Sequence, residues 1–156
     1  MKKLVFCFVV ILFMLISFSG GYMLKALPSE KVISANIVTK PDLSSDKIWS
    51  LVQDWRSKNN LPVYTKNQKL CDMASIRVQD IRTDWSHSQF VPRVNFFFGN
   101  NIYNIAENLA EHHINEEAIL NAWLGSPTHA DNLKSNYKYS CIVESENYVV
   151  QLFGNF

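Results

Sequence analysis

Ser126-Pro127-Thr128-His129-Ala130-Asp131-Asn132-Leu133 is the stretch on which the reading of this chain turns. Ser126 has the hydroxyl of an N-cap, and Pro127 suits the first helical position, where its missing N–H costs nothing. A short helix therefore starts here. His129 falls at about its third position, where the positive end of the helix dipole disfavours an imidazolium and so favours the neutral, ligand-competent ring. Packing does not call for a histidine at this point.

Working outward, Asn115 caps a preceding helix whose first turn, Glu116-Glu117, is favourable against the dipole, with Ile119, Ala122 and Trp123 facing inward. Downstream, Tyr137 to Glu144 and Tyr148 to Phe153 are β-rich runs separated by Ser145-Glu146-Asn147, which predicts a closing hairpin. Upstream, Ile102 to Ala110 is a short apolar stretch interrupted by Glu107 and Asn108 and reads as an irregular segment. Ser86 to Asn101 has no period, contains Pro92 and Gly99, and reads as a loop. Leu70, Met73, Ala74, Val78, Ile81 and Trp85 form the longest helical stripe, with Thr65 and Gln68 before it at capping-box spacing. Ser45 is the expected N-cap of the first helix, which buries Ile48, Leu51, Val52 and Trp55 and ends at Asn59-Asn60. Helices followed by strands give the α+β class.

Three segments divide the chain. Residues 1–24 begin with Lys2 and Lys3 ahead of an uncharged run from Leu4 to Leu24, long enough to cross a bilayer with the remainder outside. Two readings stand for it: a membrane anchor, or a signal peptide cleaved near Ser17-Phe18-Ser19. Cys7 lies within that run and is given no role. Residues 25–45, polar and carrying Pro28 and Pro41, read as an extracytoplasmic tether, and 46–156 as one domain. Fifteen basic and fourteen acidic residues leave a formal charge of +1, with no basic stripe for phosphates, which argues against nucleic acid. In an oxidising exterior Cys71 and Cys141 are either a disulfide, contributing roughly 4 kcal/mol by loop closure, or two separate buried thiols.

Ser86-His87, Ala106-Glu107-Asn108-Leu109-Ala110 and the segment from Ser126 to Leu133 follow a long helix reading Ala74-x-x-Arg77-x-x-Asp80. In this order they resemble the CAP superfamily, SCP-like domains that include cysteine-rich secretory proteins, insect venom antigens and plant pathogenesis-related proteins. The bacterial branch is the nearest. The resemblance runs from about Ile48 to Gly154, taking in Trp123 and the terminal Val149-Val150-Gln151-Leu152-Phe153-Gly154. It implies a three-layer α-β-α sandwich with a central cleft, lined by two histidines and acidic residues that in some members surround a divalent metal. Carried over by position, these are His87, Glu107 and His129, with Asn108 and Ser126 lining the cleft. The chain departs from the eukaryotic pattern in having Ser126 where a second glutamate follows the tryptophan, and Ala106 where a glycine precedes Glu107.

Two imidazoles, His87 and His129, can hold zinc or another divalent metal, and Glu107 can serve as a third ligand or as the base for a metal-bound water. The alternative is a hydrogen-bonded network that only orders the loops. His112-His113 reads as part of a solvated, charged connection. Phe90, Phe96, Phe97 and Phe98 either line an apolar groove or pack beneath their own loop, and Trp49, Trp55, Trp85 and Trp123 read as core. No Gly-x-Ser-x-Gly and no cysteine placed with a histidine supplies a nucleophile. The leading expectation is a ligand-binding module for a small apolar molecule, a glycan or a protein. The alternative is a metal-assisted, peptidase-like hydrolase with Glu107 as general base.

Overall fold

Apolar residues recur at helical spacing on one side of a strand pair and again on the other, so the domain buries two cores rather than one. The structure is a computed structural model that describes residues 42–99 and 104–156, and these fall within one compact unit. The expected membrane segment 4–24 and most of the tether lie outside the described residues. Among the described residues no helix is long and apolar enough to cross a membrane.

The order is α1 (Ser45–Lys58), β1 (Thr65–Lys66), α2 (Gln68–Thr83), α3 (Phe90–Phe98), β2 (Ile105–Glu111), α4 (Glu116–Gly125), α5 (Pro127–Lys134), β3 (Tyr139–Ser145) and β4 (Tyr148–Gly154). The strands form one sheet in the order β1-β3-β4-β2, with β1 parallel to β3 and the other pairs antiparallel. One face packs on α1, α4 and α5 through Ile48, Val52, Ile119, Trp123, Leu133, Ile142, Val149 and Phe153. The other packs on α2 and α3 through Leu70, Met73, Val78, Ile81, Val94, Leu109, Val150 and Leu152. Successive residues of β4 alternate between the cores, as the strand's period of two requires. The architecture is the α-β-α sandwich of the α+β class.

Several local expectations shift. Ser44, not Ser45, caps α1 by accepting from the Lys47 N–H, and Ser45 Oγ instead accepts from Glu144 N–H at 2.9 Å, tying α1 to β3. Leu43 is already part of the core, just inside the segment read as tether. Thr65 opens no capping box. Thr65–Lys66 is a strand paired with Tyr139 and Ser140, and Asn67 caps α2. α2 stops at Thr83, so Trp85 leaves the stripe and is 45% exposed. Ala122 faces solvent, and Leu120 takes its place in the core.

The segment read as a loop contains α3. Pro92 sits in its first turn, where no intrahelical donor is lost, and Gly99 ends it at φ +74°. Ile102 to Ala110, read as irregular, supplies strand β2. Its polar residues are no interruption, because Glu107 and Asn108 point to opposite faces and each finds partners there. The hairpin turns on Glu146 and Asn147, both with left-handed φ of 53° and 69°, as a two-residue turn requires.

Candidate functional site

Glu107 and Asn108 are neighbours on β2, and the pleat sends one carboxylate toward α2 and one amide toward α5. Toward α2 it meets Arg77, which lies on the apolar stripe with Met73, Ala74, Val78 and Ile81 and is wholly buried. A charge there requires a buried partner. Arg77 Nε donates to Glu107 Oε2 at 2.7 Å and Nη2 donates to Oε1 at 3.0 Å. Nη2 also donates to the carbonyl of Ser86 at 3.1 Å, and Nη1 to Asp80 Oδ2 at 3.2 Å. Asp80 is gripped in turn by Arg93 of α3, whose Nε and Nη2 donate to its two oxygens at 2.9 and 2.8 Å.

His87 closes the chain of contacts. Its Nδ1 lies 2.8 Å from Glu107 Oε1, and its side chain is 58% exposed above a carboxylate that is 1% exposed. Burial alone would pull the Arg77 guanidinium down, but the hydrogen bonds and charges of Glu107 and Asp80 together outweigh it and hold the group above its ordinary value. The hydrogen bond from Arg93, helped by Arg77, holds the Asp80 carboxyl below the ordinary carboxylate range.

On the other side of the sheet, α5 is fastened by polar contacts. Asn108 Nδ2 donates to the His129 carbonyl at 3.1 Å, and Asn132 Nδ2 donates to Asn108 Oδ1 at 2.8 Å. Arg56 of α1, fully buried, holds the far end of the helix by donating to the carbonyls of Leu133 and Ser135, with its guanidinium 3.8 Å above the Tyr64 ring. His129 is half-buried near the helix start. Burial pulls its imidazole below the ordinary value, and the charge of His87 adds to the shift. Ser126 stands at the N-cap, but its side chain makes no capping hydrogen bond.

The residues read from sequence therefore divide. His87 and Glu107 are in contact on the α2 side of β2, whereas His129 lies on α5 on the other side of the sheet, its carbonyl held by Asn108. Cys71 and Cys141 form a disulfide with an S–S distance of 2.03 Å, joining α2 to β3. His112 lies apart, directly after β2: its backbone N–H donates to the Asn147 carbonyl at 2.9 Å and its Nδ1 lies 3.2 Å from Glu111, with the side chain 65% exposed. Phe90, Phe97 and Phe98 pack on the α2-side core, whereas Phe96 points outward and is 77% exposed. Trp123 is buried, donating from Nε1 to the Leu109 carbonyl at 2.9 Å, while Trp49 and Trp55 are only partly buried.

Arg77, Asp80 and Arg93 carried no assigned role in the sequence reading. The signal for Arg77 was its place inside an apolar stripe; nothing local pointed to Arg93 or Asn132.

Sandwich and site together define a class, an α-β-α domain with a histidine set on a buried glutamate. The model of the CAP family, described as the cysteine-rich secretory protein family, matches residues 49–150, and the chain belongs to that family. No curated protein matches the chain at a significant level. Among solved structures, similarity extends to an extracellular protein containing an SCP domain from Bacillus anthracis, with 22% identity and a TM-score of 0.63 over 72% of this chain and 40% of that one. A cysteine-rich secretory protein from Staphylococcus aureus aligns at 13% identity and a TM-score of 0.65, over 72% of this chain and 38% of that one. An outer surface protein from Borrelia burgdorferi aligns at 20% identity and a TM-score of 0.61, over 70% of this chain and 90% of that one. The chain thus spans about two fifths of the first two proteins, and at these identities the likeness is one of fold.

Proposed function

We propose that the chain is an exported ligand-binding module, held at a membrane by residues 4–24 or released where that run is cleaved, with His87 and His129 forming its binding site. The observation that carries this reading is the engagement of Glu107. Both of its oxygens take hydrogen bonds from Arg77, one also meets His87, and the side chain is closed to solvent. A general base must come within reach of the proton it removes, and here a carboxylate closed to solvent would first have to be uncovered. Binding makes no such demand. Export is supported by the descriptions of the Bacillus anthracis protein as extracellular and of the Borrelia burgdorferi protein as an outer surface protein.

In this reading the two imidazoles would be the protein's donors to a divalent metal. His87 has the carboxylate partner at Nδ1 that metal-ligating histidines generally have, which leaves Nε2 for the ion. His129 favours its neutral form. Among the described residues no group of three or more His, Cys, Asp or Glu side chains gathers at one point, so the other positions would fall to ligand or solvent. A bound ion would supply a Lewis-acid anchor for a ligand atom.

Titrating zinc into the full chain in detergent tests both parts. The expected result is binding in the micromolar range or weaker, lost in His87→Ala and in His129→Ala, with no metal-dependent peptide cleavage. Metal-dependent cleavage that Glu107→Gln abolishes while zinc still binds would overturn the reading in favour of a hydrolase. No zinc binding would remove the metal and leave glycans, small apolar molecules and proteins as ligands to screen.

A further inference from the structure

We infer that Arg77 is a positioning residue that fixes His87 in its Nδ1–H tautomer, so that the site meets its ligand with a bare imidazole Nε2. The inference rests on the reading of the histidine pair as the binding site and specifies what that site accepts.

The argument is a count of donors. Arg77 remains a cation at any pH the protein meets, and its Nε and Nη2 donate to the two oxygens of Glu107. A carboxylate held in that fork is ionised and can only accept. The 2.8 Å contact between Glu107 Oε1 and His87 Nδ1 therefore needs its proton on the nitrogen. In the neutral ring, Nε2 is then left with a lone pair and no proton.

Arg77 holds His87 through its backbone as well as through its ring. The nitrogen that donates to Glu107 Oε1 also donates to the carbonyl of Ser86, the residue immediately before His87. The guanidinium is kept from turning by Asp80 at Nη1, and Asp80 is braced by both nitrogens that Arg93 brings from α3. Four side chains from α2, α3 and β2 thus present one exposed ring on the intervening loop. A bare Nε2 accepts from a hydroxyl or an N–H, or binds a metal ion. It offers nothing to an incoming carboxylate or phosphate. The favoured partners are hydroxyl-rich or amide-bearing molecules and divalent cations, approached from the acceptor side.

Long-range proton–nitrogen spectra of the full chain, labelled with nitrogen-15 at histidine and held in detergent micelles at about pH 8, where exposed imidazoles are neutral, read the tautomer directly. Histidine-to-alanine variants assign the four rings. The wild type should show His87 with its proton on Nδ1. In Glu107→Gln the new amide should place its oxygen on Arg77 Nε and its NH2 toward His87, because Nη2 keeps the Ser86 carbonyl; the proton of His87 then moves to Nε2. Arg77→Lys, which keeps the charge and loses the fork, should erode the Nδ1–H signature toward the mixture of a free ring. Arg93→Ala, at a side chain one-third exposed, leaves the fold intact and should speed exchange of the His87 Nδ1 proton with solvent. A wild-type proton on Nε2 overturns the inference, as does an unchanged His87 signature in folded Arg77→Lys or unchanged exchange in Arg93→Ala. The spectra are read without ligand, so failure here and failure of the zinc titration are separate results.

Discussion

Replacing Arg77 by methionine keeps much of its buried volume and removes the guanidinium that reaches Glu107. The carboxylate, 1% exposed, would lose both Arg77 hydrogen bonds and keep only the edge of His87. Breaking a buried pair by deleting one partner costs roughly 3–5 kcal/mol, because the remaining charge has neither water nor a counter-ion. A domain of this size has only about 5–15 kcal/mol to lose, so the single variant should unfold at a far lower urea concentration. Arg77→Met combined with Glu107→Leu removes both charges, and its stability should return to within about 1–2 kcal/mol of wild type, the residue being the Ser86 and Asp80 contacts. Urea unfolding followed by circular dichroism on the wild type, both single variants and the double variant completes the cycle. A loss below about 1 kcal/mol for Arg77→Met would show that water reaches Glu107 and that the pair is not buried. A double variant no better than the sum of the singles would show that the two residues do not interact.

Two further outcomes follow from the structure. The disulfide closes a loop with a sequence separation of 70, for which chain entropy gives roughly 4.4 kcal/mol at 25 °C. At about 4 °C per kcal/mol for a domain of this length, reduction should lower the melting temperature by about 15–20 °C; a shift below about 5 °C would assign the bridge little of the stability. His129 has its folded value depressed below 6.5, so the unfolded chain takes up the proton first as pH falls. Its contribution to stability is complete above about pH 6.5 and declines below it, through the interval down to the folded value. His129→Gln should flatten the dependence of the urea midpoint on pH between about 7.5 and 5, and identical slopes in the two proteins would refute the assignment.

Elements with a local signature were legible in the sequence. α1, α2, α4 and α5 are visible from apolar spacing and cap residues, and the β3–β4 hairpin from its flanking β-rich runs; Asn115, Pro127 and Tyr148 stand where expected, and other ends differ by up to three residues. β2 was not visible as a strand, because its two central residues are polar and the partners that satisfy Glu107 and Asn108 lie 30 and 24 positions away. α3 was hidden for a different reason. Pro92 and Gly99 were read as breakers within a loop, whereas they mark the first turn and the end of a helix, the positions where those residues are tolerated. At the site, His87, Glu107 and His129 were named by position in the family pattern. What could not be read was that Glu107 is already committed to Arg77, since a bidentate contact between a helix and an edge strand leaves no mark on spacing.

The polar contacts around β2 also argue about purpose. An apolar pair in place of Arg77 and Glu107 would leave the fold about as stable, so stability does not account for the charges. The two cores on either side of the sheet already bury Trp123, Phe153, Met73 and Leu152 and supply the cohesion. What the charges do supply is placement. His87 hangs from Glu107 and, through Ser86, from Arg77. His129 rides on a helix fastened by Asn108, at the His129 carbonyl and through the helix's own Asn132, and at its end by Arg56. Each of these contacts is directional, as dispersion contacts are not. A binding site at His87 and His129, as proposed above, would need directional support of this kind, and β2 supplies a buried polar side chain toward each, Glu107 on one face and Asn108 on the other.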